Sequence, residues 1–348
     1  MFCLLLGAII ANIMIRFKLW GLAVLTVFLT GCSYDPLDVD SSHVDVSIKF
    51  INADSLLVNA DSSQLAGLHQ RFLKEIPEIW EYELGYCLGI GNVSDTAFMN
   101  SFTRFLSDDY LTRLEKRIRE KFGDLTSKRE EITGGFRNLR FHFPKGKVPE
   151  HVVFMNSFYA SSAFCTEKEI GIGLERYLGK ETDVIRELPS DQFYEWMKEG
   201  LDQRFMSRDA LCAWIMTHYV GEVEGNLAEH MIRWGKILYL TEAAFPDEKE
   251  SMILRYTDDE LKWATDQEYE IWKYLVQDKL LFKIDERIRI NLLNDAPFTV
   301  GLPEKGPDRL GQFMGWRMVH KYMQIKRITV EELIKTPYTA ILAEYEID

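Results

Sequence analysis

His151-Val152-Val153-Phe154-Met155-Asn156, Ser162-Ala163-Phe164-Cys165 and Glu169-Ile170-Gly171-Ile172-Gly173-Leu174 are three short, mostly apolar runs, and their reading decides the fold class. Each is too short for an amphipathic helix and reads as a strand. The last two are joined by the turn-prone Thr166-Glu167-Lys168. After Gly179 the pattern becomes helical throughout. Asn226 with Glu229 three residues on reads as an N-cap with its capping-box partner, and Leu227, Met231, Trp234 and Leu238 then share one helical face. Thr257 with Glu260 repeats the signal ahead of a helix expected over Trp263 to Leu281. Gly306-Pro307 reads as another helix start, because proline suits a first turn. Gly311 and Gly315 fall on one face, where a neighbouring helix can pack closely. Thr329 and Glu332 cap a last short helix.

Upstream, residues 125–139 and 96–121 read as helices, and residues 63–84 as an aromatic-rich helix broken at Pro77. Val44, Val46, Ile48 and Phe50 alternate with polar residues as a strand does. There is no repeat, low-complexity tract or clear linker. The chain is expected to be α+β: one helix-rich domain over residues 44–348 with a small mixed sheet.

The N-terminus reads differently. Arg16 and Lys18 precede an apolar run from Leu19, which ends in Leu29-Thr30-Gly31-Cys32 before the chain turns polar at Ser33. That order is the layout of a secretory signal, and Leu29, Thr30 and Gly31 before Cys32 resemble the bacterial lipobox. The resemblance implies a diacylglyceryl group on the Cys32 thiol and cleavage just before it. A run of about a dozen apolar residues is short against the roughly 20 that span a bilayer. Residues 1–31 are therefore expected to be a signal peptide and residues 32–43 a lipidated, acidic tether carrying Asp35, Asp38 and Asp40. Residues 1–13 are also apolar, so the true start is expected at Met14.

The 348 residues carry 41 basic and 54 acidic side chains, net −13. Losing residues 1–31 removes Arg16 and Lys18 and no acid. Nucleic acid is excluded as an expected partner, since phosphate binding needs Lys and Arg clusters, and electrostatic docking on anionic lipid is disfavoured. Anchoring then falls to lipid, with two acyl chains needed for stable attachment. Beyond Cys3 and Cys32, the three cysteines Cys87, Cys165 and Cys212 lack metal or redox spacing and read as small buried hydrophobes. One disulfide among them is open, and the sequence does not choose it.

No zinc, nucleophile-elbow, phosphate-loop or dinucleotide motif is present, and no cofactor is expected. Gly89-Ile90-Gly91 and Gly171-Ile172-Gly173 read as turns or close strand approaches. Among seven histidines, His218 and His230, with Glu222, Glu224 and Glu229 between them, are the one pair to weigh as a metal site. The acidic pairs Asp108-Asp109 and Asp258-Asp259 sit at helix starts, where they favour the positive end of the dipole. Trp196, Trp214, Trp234, Trp263, Trp272 and Trp316 fall in helical stretches and read as mostly core, some lining a groove.

Several stretches are similar to the gliding-motility lipoprotein GldB family of Bacteroidota. They are the lipobox, the segment Gly171 to Gly179, the helix Asn226 to Tyr239, and the tract from Asn294-Asp295-Ala296-Pro297-Phe298-Thr299 to Gly311-Gln312-Phe313-Met314-Gly315-Trp316. The layout also resembles a zinc-peptidase scaffold. There a helix at Ser207 to Tyr219 would carry a His-Glu-x-x-His motif, and the following helix a third ligand near Trp234. Here the first helix reads Asp209-Ala210-Leu211-Cys212-Ala213-Trp214-Ile215, without that motif. The resemblance implies a non-catalytic lipoprotein, and Ser33 after Cys32 permits sorting to the outer rather than the inner membrane. It would serve gliding and the linked secretion and cell-surface machinery by binding protein partners, through a groove at His218, His230 and Trp234. The competing expectation is an envelope metallohydrolase using His218, Glu222 and His230.

Overall fold

A computed structural model describes residues 36–87, 89, 100, 103–104, 107–302 and 306–345. The chain divides into two units, Met1–Asp38 and Val39–Asp348, and every helix and strand of the described residues belongs to the second. The lipobox, Cys32 and Met14 lie outside the described residues.

The elements run β1 (Lys49–Asn52), α1 (Ala53–Val58), α2 (Ser62–Glu75), α3 (Pro77–Tyr82) and a π-turn at Glu83–Cys87. Next come α4 (Asp109–Phe122), α5 (Thr126–His142), β2 (His151–Met155), β3 (Ala163–Cys165), β4 (Glu169–Gly173) and a 3-10 turn at Leu174–Tyr177. Then follow α6 (Asp183–Arg186), α7 (Glu195–Glu199), α8 (Met206–His218), α9 (Leu227–Ala244), α10 (Glu250–Leu254) and α11 (Asp258–Asp266). Last are α12 (Glu268–Gln277), α13 (Glu286–Leu293), α14 (Leu310–Lys326), α15 (Val330–Lys335) and α16 (Tyr338–Ala343). This is the helix-rich α+β domain with one small mixed sheet that the sequence suggests.

The sheet order is β1-β2-β4-β3, with β1, β2 and β4 parallel and β3 antiparallel to β4. Every residue of β2 and β4 is buried, which is why they read as continuous apolar runs and not as alternating ones. Ile51, Val153 and Met155 pack with Phe72, Ile76, Ile79 and Trp80 of the α2–α3 segment. On the other face Phe50 stacks on Phe154, and Arg129 of α5 lies over the Phe50 ring. Asp61 caps α2 with a full capping box, and Pro77 opens α3 at its first turn, so the expected break at Pro77 is a change of helix.

Central to the helical half is α9, buried on almost every side and packed against α14, α5 and α8. Its approach to α14 is backbone on backbone. A Cβ on Gly315 would stand 1.7 Å from the Met231 carbonyl oxygen, and one on Gly235 would stand 2.1 Å from that of Gly315. Gly311 packs on α13 instead, its Cβ position 2.8 Å from Leu292 O. Beyond the glycines, Glu242 of α9 accepts from Trp316 Nε1 at 3.0 Å and meets His320 Nε2 at 2.6 Å.

Several boundaries differ from the sequence expectation. Among the described residues, Val44 to Ile48 have no strand partner, because β2 begins at His151, opposite Lys49. The helix expected over Trp263 to Leu281 is two, α11 and α12, broken at Gln267; the turn sets Glu268 against Arg317 and Tyr345 Oη. Pro307 does not open a helix. It precedes Arg309, which takes a left-handed conformation (φ 51°) and starts α14 one residue later, its guanidinium bonded to the Leu254 and Arg255 carbonyls. Asn226 caps α9 through Glu229 N at 3.1 Å, without the reciprocal side-chain bond, whereas Thr257 and Thr329 form complete capping boxes. Cys87, Cys165 and Cys212 are all free thiols; Cys212 is buried and the other two are half-buried.

Candidate functional site: an acidic cluster at the strand ends

Parallel β1, β2 and β4 bring their carboxyl ends to one edge, the place where open α/β sheets put ligand sites. Four acids from four separate segments meet there. Asp54 stands in the first turn of α1, directly after β1, and Glu83 opens the π-turn. Glu115 is on the inner stripe of α4 with Leu111, Leu114, Ile118 and Phe122, and Glu175 lies in the turn after β4. All four are buried, Glu175 completely.

Glu175 is the best-held member. Ser157 donates through Oγ at 2.6 Å and through its backbone N at 3.1 Å, and Tyr159 N donates at 2.8 Å. Two of these donors are backbone groups turned inward by a left-handed bend, with φ 53° at Phe158 and 67° at Tyr159. Non-glycine residues rarely adopt that conformation without compensation, and three hydrogen bonds to one carboxyl supply it. Gly173 makes room: a Cβ there would sit 2.3 Å from Ser161 O and 2.4 Å from Ser157 Oγ. The Gly171-Ile172-Gly173 fragment is thus a close approach, with the Phe164 ring over Gly171 as well.

Glu115 accepts from Asn156 Nδ2 at 2.6 Å. Among the described residues no other group donates to Glu115 Oε2, Asp54 Oδ1 or Glu83 Oε2; the Asp54 and Glu115 carboxyls share a hydrogen bond with each other, and Glu83 shares one with Cys87. Burial pushes the Asp54 carboxyl well up, and the nearby Glu115 carboxylate adds to the rise. Glu83 is raised the same way, by burial and then by Glu175. Burial also raises Glu175, although its hydrogen bonds pull the other way. Below these acids, at the opposite end of β4, Glu169 is raised to about 7 by burial while accepting from Ile79 N. Asp54 and Glu115 line a cavity of about 30 Å³ together with Asn52, Val58, Ile118, Arg119 and Phe122 among others.

The residues weighed from sequence lie elsewhere and do not come together. His218, at the end of α8, has Nε2 3.0 Å from Thr166 O and its ring against Trp214. His230, in the second turn of α9, has Nε2 2.7 Å from Arg289 Nη1. Glu222 binds Arg233 Nη2 at 2.5 Å, and Trp234 is half-buried on α9. Burial lowers the pKa of both histidines, with Arg289 adding to the effect at His230. Among the described residues no group of three or more His, Cys, Asp or Glu side chains is placed to hold a metal ion. In α8, Asp209 is spent on Arg255 Nη1 at 2.6 Å, Arg208 Nη1 at 3.1 Å and Tyr177 Oη at 3.1 Å.

The acidic cluster escapes a motif search because its members are 29 or more residues apart in sequence. One signal does point to it: Glu115 interrupts the apolar stripe of α4, a position where an acid is out of place unless it is partnered or protonated.

Among the described residues no helix is long and apolar enough to cross a membrane. The family model of the gliding motility protein GldB, a lipoprotein family, matches residues 35–346, so the chain belongs to that family. No curated protein and no solved structure matches it. The family carries a role in gliding motility.

Proposed function

We propose that the protein is a cell-envelope lipoprotein, anchored through lipid on Cys32, that supports gliding and the linked secretion and surface machinery by binding protein partners and not by hydrolysis. On this reading residues 1–31 are the signal, residues 32–43 the tether and residues 44–348 the working body, and the outer membrane is its location. One observation carries the preference for binding: the side chains a metallohydrolase would recruit are engaged in holding the fold. His218 is against Thr166 O and Trp214, Glu222 is on Arg233, and His230 is beside Arg289. A ligand set would have to break these contacts to form.

The experiment is a clean deletion in the native host, scored for colony spreading and for secretion of surface adhesins, complemented with wild type and with Cys32→Ala. Spreading restored by wild type and not by Cys32→Ala, with Cys32→Ala failing to label with fatty acid, is the expected result. Full rescue by an unlipidated variant overturns the anchor. Zinc bound at one equivalent to the purified chain, and lost in His230→Ala, overturns the non-catalytic reading.

A further inference from the structure

The corner between α12 and α13 holds two large apolar side chains out in solvent on a fixed support. Lys279 takes a left-handed conformation (φ 54°), and Leu280 and Leu281 then fold inward, each 6 % exposed. Phe282 and Ile284 stand outside, 66 % and 75 % exposed. The loop is held from behind by α9, whose first two N–H groups, at Leu227 and Ala228, donate to the Lys283 and Leu281 carbonyls at 3.0 and 2.9 Å. Those N–H groups have no acceptor within their own helix, so the two bonds tie the corner to the central helix of the body. Val276 at the end of α12 and Ile290 on α13 are exposed as well, at 46 % and 48 %. Single exposed apolar side chains need no explanation, but a group of them on one fixed corner marks a contact surface.

The charge of the corner differs from that of the chain. Residues 278–290 carry four basic side chains and three acidic ones, whereas the whole chain carries 41 against 54. Lys279, Lys283 and Arg287 are exposed, and among the described residues none of them pairs with an acid. Asp285, which lies between them, is occupied in capping α13 through Arg287 N and Ile288 N. We propose that this corner seats on a phospholipid surface. Phe282 and Ile284 enter the boundary between headgroups and acyl chains, and Lys279, Lys283 and Arg287 rest on phosphates. The acidic body disfavours docking by charge elsewhere; here apolar contact leads and the basic side chains assist. The proposal rests on the lipid anchor at Cys32, which brings a bilayer within reach. Cys32 lies seven residues before Val39, about 25 Å of extended chain. Ser41 bonds to Asn138, which donates to Ala244 O at the opposite end of α9 from the corner. An 18-residue helix is about 27 Å long, so anchor and corner together lay the body along the membrane. A second copy suits the corner less, because a two-fold contact turns the patch on itself and brings its lysines together.

The test places the photocrosslinker p-benzoylphenylalanine at position 282 of the full chain in vesicles of phosphatidylethanolamine and phosphatidylglycerol. Products are read by mass spectrometry. The control is the same side chain in place of Tyr194, which is 54 % exposed and has Asp191 and Glu195 near it in sequence. Both positions face solvent, so neither change should disturb the fold. Illumination should attach phospholipid at position 282 about tenfold more often than at 194, since only the first is held in the interface. Equal attachment at the two positions, or none at 282, overturns the proposal. So does a crosslink from position 282, in the native host, to a second copy or to another protein in place of lipid. If Cys32 takes no fatty acid, the anchor reading fails by itself, and the corner is then judged on lipid attachment by the unlipidated chain at saturating vesicle concentration. An acylated Cys32 with no lipid at position 282 sinks the corner alone.

Discussion

Gly315→Ala tests the backbone contact between α9 and α14 directly. In a helix whose face is open, replacing glycine by alanine stabilises by about 1 kcal/mol. At position 315 the added carbon would lie 1.7 Å from Met231 O and 2.5 Å from Met231 C. Reaching even a close Cα–H···O separation requires the helices to part by about 1.6 Å. The obstruction is backbone, so no side chain can swing aside. Parting the helices also loosens Trp316 and His320 from Glu242. Overpacking of this kind costs about 3 kcal/mol or more, which exceeds the propensity gain and reverses its sign. The internal control is Gly134→Ala in α5, where nothing lies within 4 Å of the new Cβ, and there the change should stabilise by about 1 kcal/mol. Urea unfolding at 25 °C of both variants reads the difference. A Gly315→Ala protein within about 0.5 kcal/mol of wild type would refute the claim that the two backbones touch.

Glu169, with its carboxyl raised to about 7, holds an extra proton in the folded state between about pH 4.3 and 7, so its contribution is fully present below that window and is lost as pH rises through it. Glu169→Gln should therefore gain stability relative to wild type as pH goes from 4.5 to 7, measured by thermal melts across that range; a constant difference would show that the group is not shifted. Trp214 is fully buried with its Nε1 on Lys147 O, and Trp214→Ala should cost about 3–5 kcal/mol, a loss readable by urea midpoint. Buried Lys236 donates to the Thr336 and Ile334 carbonyls at 2.6 and 3.2 Å. Lys236→Met orphans those carbonyls, and limited proteolysis should then release the chain from about residue 330 onward before the rest of the body is cut; wild-type resistance there would contradict the role of that contact.

How much of this was legible in sequence depends on the range of the contacts. The strands that became β2 and β4 are visible because full burial makes them mostly apolar runs, and the caps at Thr257 and Thr329 because a capping box is a local signal. Gly311 and Gly315 announced a tight helix contact, although Gly311 meets α13 and it is Gly235 that faces Gly315. The misreadings arise where tertiary partners decide. Val44 to Ile48 alternate like a strand yet have no strand partner among the described residues, and α11 and α12 divide where Glu268 must reach Arg317. The site was the least legible part. His218, His230 and Trp234 stand out by residue type, but the structure gives each histidine a separate partner far along the chain, Thr166 and Arg289. The acids that converge arrive from α1, the π-turn, α4 and the end of β4, and no spacing rule links positions 54, 83, 115 and 175.

The register of β1 bears on the order in which the body assembles. Its partner β2 lies about a hundred residues further along the chain, and closing so long a loop slows the step that makes it. A ribosome or export channel delivers β1 first, and it must wait, unpaired, until β2 and β4 exist to receive it. Its short length and the charged Lys49 at its start limit what else that exposed edge can capture meanwhile. Asp54 follows β1 directly, so the acidic cavity closes only at this late event. Nascent chains still lacking β2 would carry the first strand and its acid in solvent.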